Sequence, residues 1–314
     1  MNNLDYCDNE IIGKSTVIKK QLNFIHKAAK SDKNVLILGE TGTGKDLTAK
    51  KIHELSDRRD KPFVAIDCTN IPEELFEAEL FGFVRGSFTG AIKDKMGLIE
   101  AAKDGTIFLD ELGNLSLHLQ AKLLRTIEKR ELRRIGETII RRTYARFIFA
   151  TNKNLHEEVK RGNFRKDLYY RINVVRFCIP PLKERREDIP LLVAQILKRS
   201  RKQNEPEKKI TQNALVRLME YDFPGNIREL ENIIERACIL SEGDMITERA
   251  IRFNHEVEEF EKRVEITSER IRRALESCRW NKTQAAVDIG KSRRQFYRLL
   301  KKYKLENCIK KDCS

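Results

Sequence analysis

The fold is decided by one stretch, Val35-Leu36-Ile37-Leu38-Gly39-Glu40-Thr41-Gly42-Thr43-Gly44-Lys45-Asp46. Its four apolar residues are too few for a helix and predict a buried strand, and residues 47–52 have helical spacing. Between them lies the pattern G-x-x-x-x-G-K, in which backbone N–H groups and a helix N-terminus can hold phosphate while Lys45 reaches the β- and γ-phosphates. The alternative is an ordinary glycine-rich turn. Asp46 stands where a Ser or Thr hydroxyl usually touches Mg²⁺, so other groups must contribute to metal binding.

The chain is long enough for two to three globular domains, with 314 residues of which 40% are hydrophobic. It has no apolar run near the roughly 18 residues that span a bilayer, and its first residues lack the layout of a signal peptide. We therefore expect a cytoplasmic protein without a membrane partner. The seven cysteines are scattered, without C-x-x-C spacing, and indicate reduced thiols rather than disulfides or a zinc site.

Positive charge is concentrated at the C-terminus. The whole chain has a formal charge of +14, and residues 271–314 hold 13 Lys and Arg against 4 Asp and Glu, a net charge of +9. Such a local excess favours nucleic acid as a partner of this end of the chain.

Two further apolar runs end in polar groups. Residues 106–109 lead into Asp110 and Glu111, and residues 147–150 lead into Asn152. At the end of a strand, Asp110 can hold Mg²⁺ and Glu111 can act as general base on the attacking water. Asn152 can orient the water or the γ-phosphate. The alternative for the two acids is to cap the following helix.

Alternating strands and helices with these strand-end groups predict an α/β fold. We expect a parallel sheet between helices, with the site at the carboxyl ends of the strands. Pro180-Pro181 ends this region, and helical patterns follow it. The predicted organisation is an N-terminal tail, an α/β core, a small helical lid, a linker and a C-terminal helical domain, at residues 1–10, 11–181, 182–250, 251–265 and 266–314.

The segment Gly86-Ser87-Phe88-Thr89-Gly90-Ala91 predicts a loop that projects from the core with an aromatic side chain at its tip. An exposed Phe88 requires a partner that receives it. In the alternative, Phe88 folds back onto its own domain.

The last segment reads as three helices, around residues 271–275, 283–287 and 292–303, with a turn at Gly290 and Ser292 as the cap of the third. Two helices joined by a glycine turn, the second rich in Arg, describe a helix-turn-helix. Its candidate DNA-binding residues are Arg293, Arg294, Gln295 and Arg298. The alternative is a solvated basic helix.

Together these stretches resemble the sigma-54-dependent bacterial transcriptional activators, which are AAA+ ATPases of the enhancer-binding type. The resemblance runs from about Ile11 to Leu305 and is most specific at residues 86–91, which are similar to the GAFTGA loop of that family. Other matching segments are Gly39–Lys45, Phe108–Glu111, Ala150–Asn152, Phe164–Arg171 and Pro224–Leu230.

The resemblance implies roles for single residues. Arg165 and Arg171 match arginine fingers that reach the ATP site of a neighbouring subunit, and Arg228 matches the sensor arginine of the lid. ATP and Mg²⁺ are the implied cofactors, with Asp110 on the metal. The implied ATP contacts are Gly39, Glu40, Thr41, Gly42, Thr43, Gly44, Lys45, Asp46 and Arg228, and catalysis is implied for Lys45, Asp110, Glu111, Asn152, Arg165 and Arg171.

The implied partners are sigma-54 RNA polymerase holoenzyme and double-stranded DNA at an upstream enhancer site. The polymerase is engaged through Gly86, Ser87, Phe88, Thr89, Gly90 and Ala91. Arginine fingers that reach the ATP site of a neighbouring subunit require a ring of subunits, so the resemblance implies a hexamer when the protein is active. A Fis-type helix-turn-helix implies a dimer at rest, on inverted repeats.

The chain departs from the family pattern at several positions. Ser87 replaces the usual Ala, Phe223 replaces Trp, and Lys291 stands where an apolar residue is common. Asp67 stands where many members carry an Asn that holds the catalytic Glu, and two carboxylates repel each other unless one is protonated or bridged. Asp46, in contrast, follows the preference of the family for an acid.

Two other functions remain open at this stage. One is a DNA-binding regulator of the same fold that does not remodel the polymerase, although such members usually lose the Phe-Thr loop. The other is an AAA+ remodeller of other assemblies, which the basic C-terminal helices disfavour. We also expect no receiver domain ahead of the core, and hence control by a separate inhibitory partner or by expression level.

Overall fold

The structure is a computed structural model that describes residues 10–69, 72–201, 208–241, 243–253, 268–303 and 305. The chain divides into two compact units, Met1–Ile251 and Arg252–Ser314. Most of the predicted tail and most of the predicted linker, residues 1–9 and 254–265, lie outside the described residues. None of the helices in the described ranges combines the length and the apolar character needed to cross a bilayer.

The first unit is built on a parallel sheet of five strands in the order β2-β5-β8-β1-β9. The three inner strands are almost entirely buried and the two edge strands are partly exposed, as expected for apolar runs covered by helices on both faces. These strands are β1 (Val35–Leu38), β2 (Phe63–Asp67), β5 (Thr106–Asp110), β8 (Arg146–Thr151) and β9 (Val175–Cys178).

Successive side chains of the inner strands enter two separate cores. Phe147 and Phe149 pack on one face of the sheet, whereas Ile148 and Ala150 pack on the other. Helices α1 and α2 contribute to the second core, and α3, α4, α5 and α7 to the first. The helices of this layer are α1 (Thr16–Ala29), α2 (Lys45–Glu54), α3 (Glu73–Phe81), α4 (Leu98–Ala101), α5 (Leu117–Lys129), α6 (Leu155–Lys160) and α7 (Lys166–Ile172). The predicted α/β sandwich is confirmed.

Two short antiparallel hairpins extend from this layer. They pair β3 (Gly82–Phe83) with β4 (Lys95–Met96), and β6 (Glu131–Leu132) with β7 (Arg141–Arg142). The hairpins are joined to each other, because Val84 N donates to Ile135 O at 3.1 Å and Ile135 N donates to Gly82 O at 2.9 Å. Strands of two residues are too short to leave a periodic signal, and the sequence did not predict them.

The predicted lid is helical, with one addition. After a 3₁₀ helix at Leu182–Asp188 come α8 (Ile189–Ser200), α9 (Gln212–Glu220) and α10 (Asn226–Leu240). A two-stranded parallel sheet of β10 (Lys209–Ile210) and β11 (Met245–Ile246) accompanies them, and a second 3₁₀ helix, Glu248–Ala250, follows.

The second unit is described as three helices, α11 (Ser268–Ser277), α12 (Lys282–Asp288) and α13 (Arg293–Lys302). Gly290 has φ of +70°, and Ser292 caps α13 as predicted. The spacing of Phe296, Leu299 and Tyr303 predicts that they share one face of α13. In the structure Phe296 and Leu300 are buried, while Leu299 and Tyr303 flank them half-buried, because residues four apart share a face.

Candidate functional site

The phosphate-binding loop (residues 39–45) connects β1 to the N-terminus of α2. Gly42 and Gly44 have φ of +76° and +90°, which a side chain would strain. A Cβ on Gly42 would also overlap the carbonyl oxygen of Gly225. Lys45 is 5% exposed, and its ammonium group donates to the carbonyl oxygens of Gly39 and Glu40 at 3.2 and 3.3 Å. The loop therefore has the curvature and the cation that a polyphosphate requires.

The acids at the end of β5 lie against this lysine. Lys45 Nζ is 3.2 Å from Glu111 Oε1, and Asn152 N donates to Glu111 Oε2 at 3.2 Å. Glu111 has φ of +51°, a conformation that turns the chain sharply after the strand. Asn152 Nδ2 also donates to Thr41 Oγ1 at 3.2 Å. Four groups that the sequence predicted separately are thus joined by direct contacts.

Asp110 has the environment of a partly buried carboxylate. Burial raises its pKa above the ordinary value, and Glu111 N donates to Asp110 Oδ1 at 2.8 Å. The negative charges of Glu111 and Asp46 raise this pKa further, and Lys45 lowers it. Carboxylates gathered near a phosphate-binding loop are the hard oxygen donors that suit Mg²⁺.

Asp67 is engaged locally rather than with Glu111. Its Oδ1 accepts hydrogen bonds from Thr69 N and Thr69 Oγ1, at 2.9 and 2.5 Å. Among the described residues no hydrogen bond links Asp67 to Glu111, and the two carboxylates have different partners. Burial and the charges of Asp67, Asp110 and Glu111 together raise the pKa of the Cys68 thiol well above its usual range.

The lid contacts the phosphate-binding loop directly. Asn226 is fully buried and has φ of +55°, and its Nδ2 donates to Glu40 Oε2 at 3.0 Å and to Thr41 O at 3.1 Å. Asn226 Oδ1 accepts from Leu182 N at 2.8 Å, and Ile227 N donates to Gly42 O at 2.9 Å. The start of α10 therefore fixes one side of the loop.

A cleft of about 70 Å³ lies between the core and the lid beside this loop. Its apolar walls come from residues far apart in the sequence, namely Ile11, Ile12, Leu47, Ile196 and Ile227. No motif in the sequence pointed to them, because each is an ordinary apolar residue of its own segment. Arg228 is exposed and lines an adjoining cleft with Gly42 and Asp46.

The projecting loop (residues 86–91) leaves the core between β3 and β4. Gly86 N donates to Ala91 O at 2.9 Å, which closes the loop. Gly86 and Gly90 have φ of +81° and +99°. Phe88 is 42% exposed, and its ring meets that of Phe83 edge to face, with the centroids 5.0 Å apart. Both sequence hypotheses hold in part, since Phe88 rests on its own domain and still faces solvent.

Comparisons with known proteins agree with this geometry. Three families match the chain: "Sigma-54 interaction domain" at residues 11–178, "AAA+ ATPase lid domain" at 183–263 and "Bacterial regulatory protein, Fis family" at 256–303. The chain belongs to the sigma-54-dependent transcriptional activators.

Individual relatives of this family have similar sequences. The response regulator protein PilR of Pseudomonas aeruginosa is 44% identical over 310 residues, which cover 94% of this chain and 70% of PilR. The transcriptional regulatory protein ZraR of Escherichia coli K12 is 43% identical over 293 residues, 90% of this chain and 66% of ZraR. The chain thus spans about two thirds of the length of these relatives.

Solved structures of a protein named NtrX have a similar fold. The crystal structure of NtrX from Brucella abortus in complex with ATP has a TM-score of 0.74 and 30% identity, over 94% of this chain and 69% of NtrX. The structure of NtrX in complex with ADP has a TM-score of 0.75 over the same shares.

The two arginines that the family resemblance singled out lie on or beside α7. Both are exposed. The guanidinium group of Arg165 pairs with Asp167 at 2.6 Å, whereas Arg171 makes no ion pair with any described residue. Neither residue is joined to Lys45 or Glu111 of its own chain by a contact in the described ranges.

The candidate recognition helix of this sigma-54 family chain is α13. Arg293, Arg294, Gln295 and Arg298 are all exposed. Besides being a candidate DNA-binding residue, Gln295 caps the helix, because its Oε1 accepts a hydrogen bond from Ser292 N at 3.2 Å within a capping box. The sequence did not single out Tyr297, which is also partly exposed and lies beneath the cations of Lys282 and Arg293.

Proposed function

We propose that this chain is an ATP-hydrolysing activator that binds upstream DNA and remodels the closed complex of sigma-54 RNA polymerase. The observation that carries the proposal is the exposed Phe88-Thr89 pair, presented by a closed loop on the same α/β core as the phosphate-binding loop. The match to the sigma-54 interaction domain supports the polymerase as the partner. The same partners would put the action of the protein in the cytoplasm.

For hydrolysis, Lys45 and the N–H groups of the phosphate-binding loop would hold the β- and γ-phosphates. Glu111 would accept a proton from the attacking water, and Asn152 would orient that water. Asp110, with Asp46 in the first turn of α2, would hold Mg²⁺, which neutralises charge on the phosphate oxygens. The complexes of NtrX with ATP and with ADP support nucleotide binding at this fold.

Arginine fingers complete the proposed site in an oligomer. Arg171 is exposed and has no ion-pair partner among the described residues, and Arg165 is paired only at the surface, which suits groups that act on the nucleotide of a neighbouring subunit. We therefore propose a hexamer as the active form and a dimer as the resting form. Arg228 would act within its own subunit, since it lines a cleft with Gly42.

Coupling to the polymerase would pass through the joined hairpins. The projecting loop follows β3, and β3 is fixed to residue Ile135 of the neighbouring hairpin by two backbone hydrogen bonds. A displacement at either hairpin is transmitted to the other because backbone bonds leave little freedom to slide. The Fis-type helix-turn-helix would bring the ATPase to double-stranded DNA upstream of the promoter.

The proposal is tested by strand opening at a sigma-54 promoter, measured by single-strand-specific chemical footprinting. Purified protein and sigma-54 polymerase are incubated with ATP or with a non-hydrolysable analogue. We expect opening with ATP only, and none with Phe88→Ala. A chain that hydrolyses ATP and occupies upstream DNA but opens no promoter would be a DNA-binding regulator without remodelling activity.

A further inference from the structure

Helix α1 has a solvent face that carries positive charge and no negative charge. The helix and its C-cap residue contain Lys19, Lys20, Lys27 and Lys30, and residues 16–30 include no Asp or Glu. All four lysines are exposed. At 3.6 residues per turn they fall within about 100° of the helix circumference, over about 16 Å of its length. We refer to these four side chains as the lysine face.

The lysine face is not neutralised by the rest of the protein. Its four ammonium groups make no ion pair or hydrogen bond with any residue in the described ranges. Other lysines of the same unit have carboxylate partners, such as Lys51 with Glu54 at 3.4 Å and Lys61 with Asp104 at 3.0 Å. Two members of the lysine face are three positions apart on the helix, where like charges repel each other. A row of cations kept at this cost points to an anionic partner.

The positive charge of the first unit is as large as that of the second. Residues 1–251 hold 45 Lys and Arg against 38 Asp and Glu, a net charge of +7, and residues 252–314 hold 17 against 10, which is also +7. The unit with the helix-turn-helix therefore accounts for half of the formal charge of the chain. A basic stripe along one helix is the electrostatic footprint that a phosphate backbone requires.

The opposite side of α1 fixes the lysine face to the core. Ile25 and Ala28 are buried there, and the ring of Phe24 stacks on that of Phe177 with the centroids 4.6 Å apart. The C-terminal end of the helix is held by Arg146 Nη2, which donates to Ala28 O at 2.7 Å. The lysines therefore project from a rigid support, which suits a partner whose charges are regularly spaced.

Double-stranded DNA fits this face better than a membrane surface does. Every residue of α1 is described, and the helix exposes no large apolar side chain, while Asn23 between the lysines is exposed and polar. A helix that lies in a membrane interface needs apolar side chains that enter the lipid. A duplex carries one negative charge per about 1.7 Å of its axis, so the lysine face spans several phosphates.

We propose that the lysine face of α1 is a second contact for double-stranded DNA, which binds phosphates without reading the bases. The contact belongs to the first unit and is separate from the candidate recognition helix α13. The first unit thus binds duplex DNA in addition to the DNA that the helix-turn-helix binds.

The test measures binding of the full chain to a labelled duplex of mixed sequence by fluorescence anisotropy. A parent variant with Arg293→Gln, Arg294→Gln and Arg298→Gln weakens the helix-turn-helix, so that the lysine face gives the remaining signal. Four lysine contacts predict that the association constant of the parent falls about 100-fold from about 50 to 200 mM salt. The lysine-face variant should lose this salt-dependent binding. It adds to the parent the substitutions Lys19→Gln, Lys20→Gln, Lys27→Gln and Lys30→Gln.

A matched control removes the same charge from lysines that have carboxylate partners. Both variants lower the net charge of the parent by four, so a difference between them reports contact with DNA rather than overall charge. The control should keep the salt dependence of the parent, because its lysines are not part of the lysine face. It carries Lys51→Gln, Lys61→Gln, Lys95→Gln and Lys122→Gln.

Equal binding by the lysine-face variant and the control overturns the proposal. A parent that binds no duplex, while wild-type protein does, also overturns it, because the helix-turn-helix then accounts for all of the binding. A parent that binds vesicles of phosphatidylglycerol through the lysine face, but no duplex, would make the partner a membrane. Thermal unfolding verifies that each variant is folded. If the variant with four substitutions is not, Lys19→Gln with Lys20→Gln, and Lys27→Gln with Lys30→Gln, should each lower the salt dependence of the parent by about half.

Discussion

The phosphate-binding loop and the projecting loop are both glycine-rich turns of one unit, but they are held in opposite ways. The first is bonded to the lid through Asn226 and to β5 through Lys45 and Glu111. The second is closed by its own backbone bonds, Phe88 meets the ring of Phe83, and Ser87 lies close to Gly136. In the proposed mechanism the catalytic groups need fixed positions and the coupling element must move, and these two sets of contacts suit those roles.

The largest expected effect distinguishes a variant that loses ATP hydrolysis from one that loses only promoter opening. Glu111→Gln removes the proposed general base and should slow ATP hydrolysis by about 100- to 10,000-fold, because the proton of the attacking water is left without an acceptor. Phe88→Ala should leave the hydrolysis rate within about two-fold of wild type, since Phe88 makes no contact with the site, and should abolish promoter opening. Steady-state phosphate release and footprinting measure the two. If Phe88→Ala lost hydrolysis as well, the two loops would not be separable in this way.

The next prediction compares two glycines with similar backbone angles. Gly86→Ala should cost about 1–2 kcal/mol of unfolding free energy, because its φ is left-handed but no atom lies within 4 Å of the added Cβ. Gly42→Ala adds an overlap with Gly225 O and should cost at least about 3 kcal/mol. Denaturant unfolding without nucleotide measures both. Equal losses would show that the lid does not press on the phosphate-binding loop.

A smaller effect is expected at the lid contact. Asn226→Gly keeps the left-handed backbone accessible but removes the bonds to Glu40, Thr41 and Leu182. It should cost about 1–3 kcal/mol and weaken nucleotide binding, since the loop loses one of its supports. Thermal unfolding and competition binding test it, with Asn213→Gly at an exposed position of α9 as the control for glycine in the lid. Unchanged nucleotide affinity would mean that the loop keeps its shape without the lid.

The smallest effect concerns Ser87, whose Oγ is buried without a partner within the described residues. Ser87→Ala should stabilise the protein by up to about 1 kcal/mol, because the unpaired hydroxyl is removed. Differential scanning calorimetry measures the change, and Ser277→Ala, which removes a partly exposed hydroxyl that donates to Ala274 O, is the matched control. A loss of stability on Ser87→Ala would reveal that the hydroxyl is hydrogen-bonded in solution.

Local patterns predicted much of the fold. The strand at Val35–Leu38 was predicted to the residue, because an apolar run bounded by glycine acts over a few neighbours. The resemblance to the family likewise rests on short segments, because each of the motifs at residues 39–45 and 86–91 is an uninterrupted stretch of sequence.

What the sequence did not predict depends on contacts between distant residues. Asn226 and Glu40 are 186 positions apart, and nothing in either segment indicates their hydrogen bond. The cleft walls come from segments that meet only in the folded chain. The sequence left open how Asp67 relates to Glu111, and the hydrogen bond that Thr69 donates to Asp67 depends on the exact path of the chain after β2. Such features follow from tertiary packing, on which short patterns carry no information.

The ion pair between Lys45 and Glu111 makes nucleotide binding an exchange of anions. The Lys45 ammonium group already pairs with the Glu111 carboxylate. An arriving phosphate must therefore displace this carboxylate, because the cation is not unpaired. Displacement leaves the Glu111 carboxylate without its cation and able to contact another group. In the proposed mechanism, loading the site and releasing the general base thus become one event, because a subunit without nucleotide keeps Glu111 paired with Lys45.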